Sequence, residues 1–122
     1  MTDALDQEAQ TILQALIAVP FDNCSPVGRE FPTLTKRHSI YAVRHRIEGV
    51  LYIGKSQNPK QRFTNGHKAL VWCWIERYNP DDVRITAYAL DYRQWSTLSL
   101  DLENLIIRAS EPPFNVKIPM RD

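Results

Sequence analysis

The sequence predicts an α+β domain, a small three-stranded antiparallel sheet flanked by helices with an added N-terminal helix. Three observations lead there. Two short runs rich in β-branched and aromatic residues, Ser39–Val43 and Val50–Gly54, are separated only by a polar stretch ending in Glu48-Gly49, which makes a hairpin. Apolar stripes at helical spacing lie at both ends of the chain. A third strand-like run, Val83–Leu90, follows two helical pieces rather than a single crossover helix. A hairpin that opens a mixed order of elements favours a layered α+β domain over a parallel doubly wound sheet. The 122 residues, 43% apolar and 24% charged, suit one globular core.

In chain order, Leu5, Ala9, Ile12, Leu13, Leu16 and Ile17 form one stripe of a first helix, capped by Thr2 or Asp3 and ended before Pro20. Residues 20–37 hold Pro20, Pro26, Gly28 and Pro32 without periodicity and read as a connecting loop. The chain thus divides into an N-terminal helix and loop, 1–37, and a main unit, 38–122. After the hairpin, Asn58-Pro59 starts a helix, with asparagine as cap and proline at the first helical position. Asn65-Gly66 breaks or bends it, and a second piece runs from about Lys68 to Tyr78. Ser96 or Thr97 is the expected cap of the last helix, whose stripe is Leu98, Leu102, Leu105, Ile106 and Ala109, and Glu111-Pro112-Pro113 stops it.

Composition excludes some roles. No apolar stretch approaches the ~20 residues of a membrane span. Asp3, Asp6 and Glu8 without an early cation do not make a secretory signal, so the chain reads as soluble, intracellular and cytoplasmic. Cys24 and Cys73 fit no metal or redox spacing, and Cys73, between Trp72 and Trp74, reads as a buried thiol. The net charge is only +1, yet nine cations between Lys36 and Arg77 face two carboxylates there, an excess of seven that leaves the rest of the chain at −6. That asymmetry suits a polyanion-binding patch, although a solvated charged face is the blander account. Tyr78, Trp72, Trp74, Tyr88, Tyr92 and Trp95 could stack on splayed bases, but core packing is the commoner use, and none is assigned to binding.

The hairpin also carries a motif. Ser39-Ile40-Tyr41 and Tyr52-Ile53-Gly54 stand ten residues apart, followed by Lys55, Arg62, His67, Glu103 and Asn115. This order resembles the GIY-YIG nuclease family over roughly residues 38–116, with Ser39 in place of the first glycine. The resemblance implies an endonuclease that hydrolyses phosphodiester bonds, in DNA more than RNA, with a divalent ion, Mg²⁺ or Mn²⁺. Such chemistry needs a placed water, a base and positive charge near the transition state, and hard cations take carboxylate and water oxygens. The resemblance implies Glu103 as the metal ligand, where a solvated glutamate is the alternative. It implies Arg62 as phosphate clamp, since a guanidinium fork grips phosphate with two hydrogen bonds. Tyr41 is then a general base and Tyr52 an orienting group, or either is simply a half-buried strand aromatic. Lys55 is a second base or a phosphate contact, and Asn115 supports the site or caps the C-terminal turn.

One departure is larger than the serine. Family members commonly place the histidine four residues after the arginine, whereas His67 follows Arg62 by five, which on a continuous helix turns it ~140° away unless Gly66 breaks the helix. Residues 1–35 carry a net −4, so specificity would come from the domain's own loops, a homodimer or a protein partner. The rival function is a non-catalytic nucleic-acid-binding or regulatory module on the same fold.

Overall fold

The computed structural model describes residues 3–117. In order these form α1 (Ala4–Ala18), β1 (Ser25–Pro26), β2 (Ser39–His45), β3 (Gly49–Ser56), α2 (Pro59–Thr64), α3 (Lys68–Ile75), β4 (Val83–Ala89), α4 (Ser99–Ser110) and α5 (Pro113–Lys117). The class is the expected α+β, but the antiparallel sheet has four strands rather than three, in the order β1-β4-β2-β3. The extra strand comes from the stretch read as a loop. Ser25 and Pro26 pair with Ile85 and Arg84, and a two-residue edge strand ending in proline leaves no periodic signal.

The hairpin is longer than its apolar runs because the ladder continues through polar residues, from Ser39 opposite Ser56 to His45 opposite Gly49. Gly49 has φ +83, a turn conformation that favours glycine. The register shifts between Val43 and Arg44, so that Leu51 is the unpaired residue of a bulge.

Each face of the sheet carries its own core. Tyr41, Val43, Tyr52 and Ile85 pack with Phe31, Phe63, Ala69, Cys73 and Phe114, on the side of α2, α3 and α5. Ile40, Ala42 and Ile53 pack with Ile12, Leu13 and Leu16 of α1 and Leu102 and Ile106 of α4. Burying the three large α1 side chains contributes on the order of 5–9 kcal/mol gross, enough to dock that helix firmly. Residues from both sides of the 37/38 boundary therefore share one core.

Asp3 caps α1, its Oδ1 accepting from Asp6 N–H at 2.8 Å, while Thr2 and residues 118–122 of the main unit lie outside the described residues. Arg44 Nη1 donates to the carbonyls of Leu16 (3.2 Å) and Val19 (2.7 Å), closing the C-terminal end of α1. Arg46 and Arg84 lie over the Phe21 ring at 4.5 and 5.5 Å, and Arg46 also pairs with Asp22 and Asp82. Two of the nine central cations, Arg44 and Arg46, thus hold the N-terminal segment in place.

The last helix starts earlier than expected. Asp91 Oδ1 accepts from Gln94 N–H (2.7 Å) and Gln94 Oε1 accepts from Asp91 N–H (3.1 Å), a reciprocal pair of the capping-box kind. A π-helical turn, Gln94–Leu98, then runs into α4. Ser96 and Thr97, the expected caps, are inside this stretch and donate back to the carbonyls of Tyr92 and Arg93. Glu111, at φ 46, ends α4, and Pro112-Pro113 does not end helical structure but leads into α5. Cys24 and Cys73 are both free and buried. No described helix is long and apolar enough to cross a membrane.

Candidate active site

The centre of the site is the close approach of β2 to the start of α3. Asn58 caps α2 by accepting from Gln61 N–H at 3.1 Å, and the helix lasts only to Thr64. Gly66, at φ +93, redirects the chain, so His67 is not on a continuation of α2 but is the N-cap of α3. The ~140° displacement expected for a continuous helix does not arise. His67 is 2% exposed, and its Nε2 lies 2.6 Å from Tyr41 Oη.

The second ring nitrogen fixes the direction of that bond. His67 Nδ1 accepts from Ala69 N–H at 2.9 Å and so carries no proton of its own. In the neutral ring the proton is then on Nε2, which donates to the Tyr41 oxygen. An N–H aimed at the phenol oxygen stabilises negative charge there. The ring is held on its other sides as well. Phe63 stacks on His67 with centroids 4.6 Å apart and 10° between planes, and meets Tyr41 edge-on at 5.0 Å. Tyr52 stands 6.2 Å from Tyr41 and 5.2 Å from His67.

Gly54 explains the last letter of the Tyr-Ile-Gly triplet. It pairs with Tyr41 across the ladder, and a Cβ there would sit 2.4 Å from Tyr41 Oη, 2.6 Å from Cζ and 3.0 Å from Tyr52 Cε2. The missing side chain is the space in which the Tyr41 ring lies. Ser39, by contrast, is fully buried at the start of β2 and donates its hydroxyl to Arg37 O at 2.7 Å, so a serine is accommodated there.

Arg62 is in the last turn of α2, half-buried, with Nη1 donating to Gly66 O at 2.8 Å, one residue before His67. Asn115, 8% exposed on α5, grips the outer edge of β3, accepting from Ile53 N–H (2.9 Å) and donating to Ile53 O (2.8 Å). This replaces a missing neighbouring strand between the two residues, Tyr52 and Gly54, that face Tyr41.

Lys55 is directed elsewhere. It pairs with Ile40, on the α1/α4 face, and its Nζ lies 3.5 Å from Ser99 Oγ and 5.0 Å from the Trp95 ring centroid. Glu103 follows Ser99 by one turn of α4 and is 8% exposed. The structure thus gathers Tyr41, Tyr52 and His67 directly, places Arg62 and Asn115 at their margins, and sets Lys55 on the α4 side.

Phe63, Trp95 and Ser99 were not legible as site neighbours, since nothing in their spacing distinguishes them from ordinary packing residues. Nor do all the aromatics lie in the core, because Trp74 is 79% and Tyr92 86% exposed. Trp74 is on the outer side of α3, whose buried residues are Ala69 and Cys73, and Tyr92 is at the β4–α4 junction.

The donor set bears on a metal. Among the described residues no three His, Cys, Asp or Glu side chains cluster to hold an ion. Both His67 nitrogens are engaged, and His45 Nδ1 accepts from Ile47 and Glu48 N–H. Burial pushes the Cys73 thiol up to about 11 and raises that of Cys24, so neither is a ready thiolate. Glu103, a carboxylate 8% exposed, fits a hard cation that keeps most of its ligands as water and phosphate oxygens.

No curated protein and no solved structure matches the chain at significance. The GIY-YIG catalytic domain model matches residues 37–117, which cover the hairpin, His67, Glu103 and Asn115 in one span. With two thirds of its length in that match, the chain belongs to the GIY-YIG family.

Proposed function

We propose that the chain is a divalent-metal-dependent endonuclease that hydrolyses phosphodiester bonds in DNA. The observation that carries this reading is the polarised pair at the centre of the site, the His67 Nε2–H directed at Tyr41 Oη at 2.6 Å. Tyr41, its negative charge stabilised by that N–H, takes the proton of the attacking water. Tyr52 orients the water and phosphate from the neighbouring strand. Arg62, on the turn before His67, binds the scissile phosphate through its guanidinium fork. Lys55 adds positive charge from the α4 side. Asn115 fixes the β3 backbone between Tyr52 and Gly54 and so positions the site without touching substrate. Glu103 holds the divalent ion, Mg²⁺ or Mn²⁺, which when bound supplies Lewis-acid stabilisation of charge on phosphate.

A non-catalytic nucleic-acid-binding or regulatory module draws support from burial, because Tyr41 and Tyr52 are only 2% and 3% exposed. The test is incubation of purified protein with supercoiled plasmid, and with RNA of matched length, in Mg²⁺ or Mn²⁺. The nuclease reading expects nicked or linear plasmid. Binding without cleavage of either polymer sinks it in favour of the module.

A further inference from the structure

A cleft of about 310 Å³ opens on the α1/α4 side of the sheet end, between residues 36–38 and 90–92. Its two walls are tied together by the hydrogen bond from Leu90 N–H to His38 O at 2.8 Å, so the opening is a fixed feature. The volume is at the lower end of small-ligand pockets, roughly 300–1,000 Å³. Lys36 and Arg37 are exposed on one wall, and among the described residues neither side chain is ion-paired. On the other wall Tyr92 is 86% exposed. The single carboxylate in the lining, Asp91, is turned toward Gln94 N–H as a helix cap.

Through Trp95 the cleft wall is linked to Lys55 of the proposed active site. His38, in its wall, stacks on Trp95 with centroids 4.6 Å apart and 25° between planes. Lys55 Nζ also lies over the Trp95 ring, 5.0 Å from its centroid, and 3.5 Å from Ser99 Oγ. Glu103 comes one turn later on α4. A file of cations and rings therefore runs from the cleft to the helix that carries the candidate metal ligand.

We infer that this cleft is a subsite for an unpaired nucleotide of the bound substrate, its base stacked on Tyr92 and its phosphate held by Lys36 and Arg37. Cations that follow a backbone, interleaved with an exposed ring, are the chemistry that binds single-stranded rather than duplex segments, because only an unpaired base offers its face to a side chain. The inference rests on the proposed nuclease function and narrows its substrate to nucleic acid with a gap, flap or other unpaired nucleotide beside a duplex.

The probe is a DNA duplex with a short internal gap whose exposed base is 2-aminopurine, compared with the fully paired duplex of the same sequence, both titrated in EDTA. The wild type should bind the gapped form more tightly and quench its fluorescence. Tyr92→Ala should lower affinity for the gapped duplex about tenfold and for the paired duplex less than twofold, with Tyr92→Phe close to wild type. Lys36→Ala with Arg37→Ala should weaken gapped binding and flatten its salt dependence. Equal affinity of the wild type for the two duplexes, or a Tyr92→Ala loss that is the same on both, overturns the subsite. Cleavage assayed separately in Mg²⁺ or Mn²⁺ tells the two readings apart. A Tyr92-dependent preference without cleavage leaves the subsite and removes the nuclease. Cleavage with no Tyr92 dependence of gapped binding does the reverse.

Discussion

Gly54→Ala tests whether the Tyr41 ring must lie where the structure puts it. The added Cβ would be 2.4 Å from Tyr41 Oη and 2.6 Å from Cζ, about 1 Å inside the usual contact distance of about 3.5 Å. The ring has little room to retreat. It is 2% exposed, is bounded by Phe63, Tyr52 and His67, and its hydroxyl is bonded to His67. Overpacking of this kind costs about 1–3 kcal/mol. For a domain of this size that should lower the melting temperature by several degrees. A displacement of about 1 Å at the proposed base should cut cleavage by ~10². Thermal melts and plasmid-cleavage rates measure both. A cycle with Tyr41→Ala isolates the cause, since removing the ring should relieve most of the stability cost, with a coupling of about 1 kcal/mol or more. A Gly54→Ala protein with wild-type stability and activity would refute the packing argument, as would an equal cost in the Tyr41→Ala background.

Other expectations follow from the same geometry. Asn115→Ala strands the N–H and C=O of Ile53 at a buried strand edge and should destabilise by about 2–4 kcal/mol in urea unfolding, whereas an exposed change such as Gln57→Ala should not. His67→Gln should lower cleavage more than binding, measured as rate against filter-binding affinity on one duplex, because only the charge on the Tyr41 oxygen depends on the Nε2–H. For Cys73 the folded value is raised by burial from 9.0 to about 11, so its contribution to stability is complete below pH 9 and is lost as pH rises from 9 to 11. Urea midpoints across that range should fall, and Cys73→Ala should flatten the fall. At pH 8 the native thiol should react slowly with a thiol reagent and rapidly once urea unfolds the chain.

Much of this was legible because the signals are local. Asn58-Pro59 announces a helix start that the structure realises in cap and first turn, and the α1 stripe packs as written except for Ile17, which is 44% exposed. What escaped was set by tertiary pairing. Ser25-Pro26 is a strand only because β4 offers a partner, and Asp91 and Gln94 cap α4 through a reciprocal bond that a rule for serine and threonine overlooks. At the site, residue spacing carried Tyr41, Tyr52 and Arg62 to one region, and the open question about His67 turned on whether Gly66 interrupts the helix. It does, through φ +93, a value the sequence permits but does not dictate. Lys55 was read as a site lysine from its place after the glycine, and what that reading could not supply is the side it works from: strand alternation turns it to the α4 face, beside Trp95.

The central claim is that Glu103 serves catalysis and not merely the fold, and the direct test is Glu103→Gln with binding and cleavage measured on the same DNA. The variant keeps size and hydrogen bonding and removes the charge that would hold the ion. If that ion lowers the barrier by several kcal/mol, cleavage in Mg²⁺ or Mn²⁺ should fall by about 10³ or more. Binding should hold or tighten, since a negative charge facing phosphate has gone. A variant that cleaves like the wild type, or one that loses binding and cleavage together, would contradict the account.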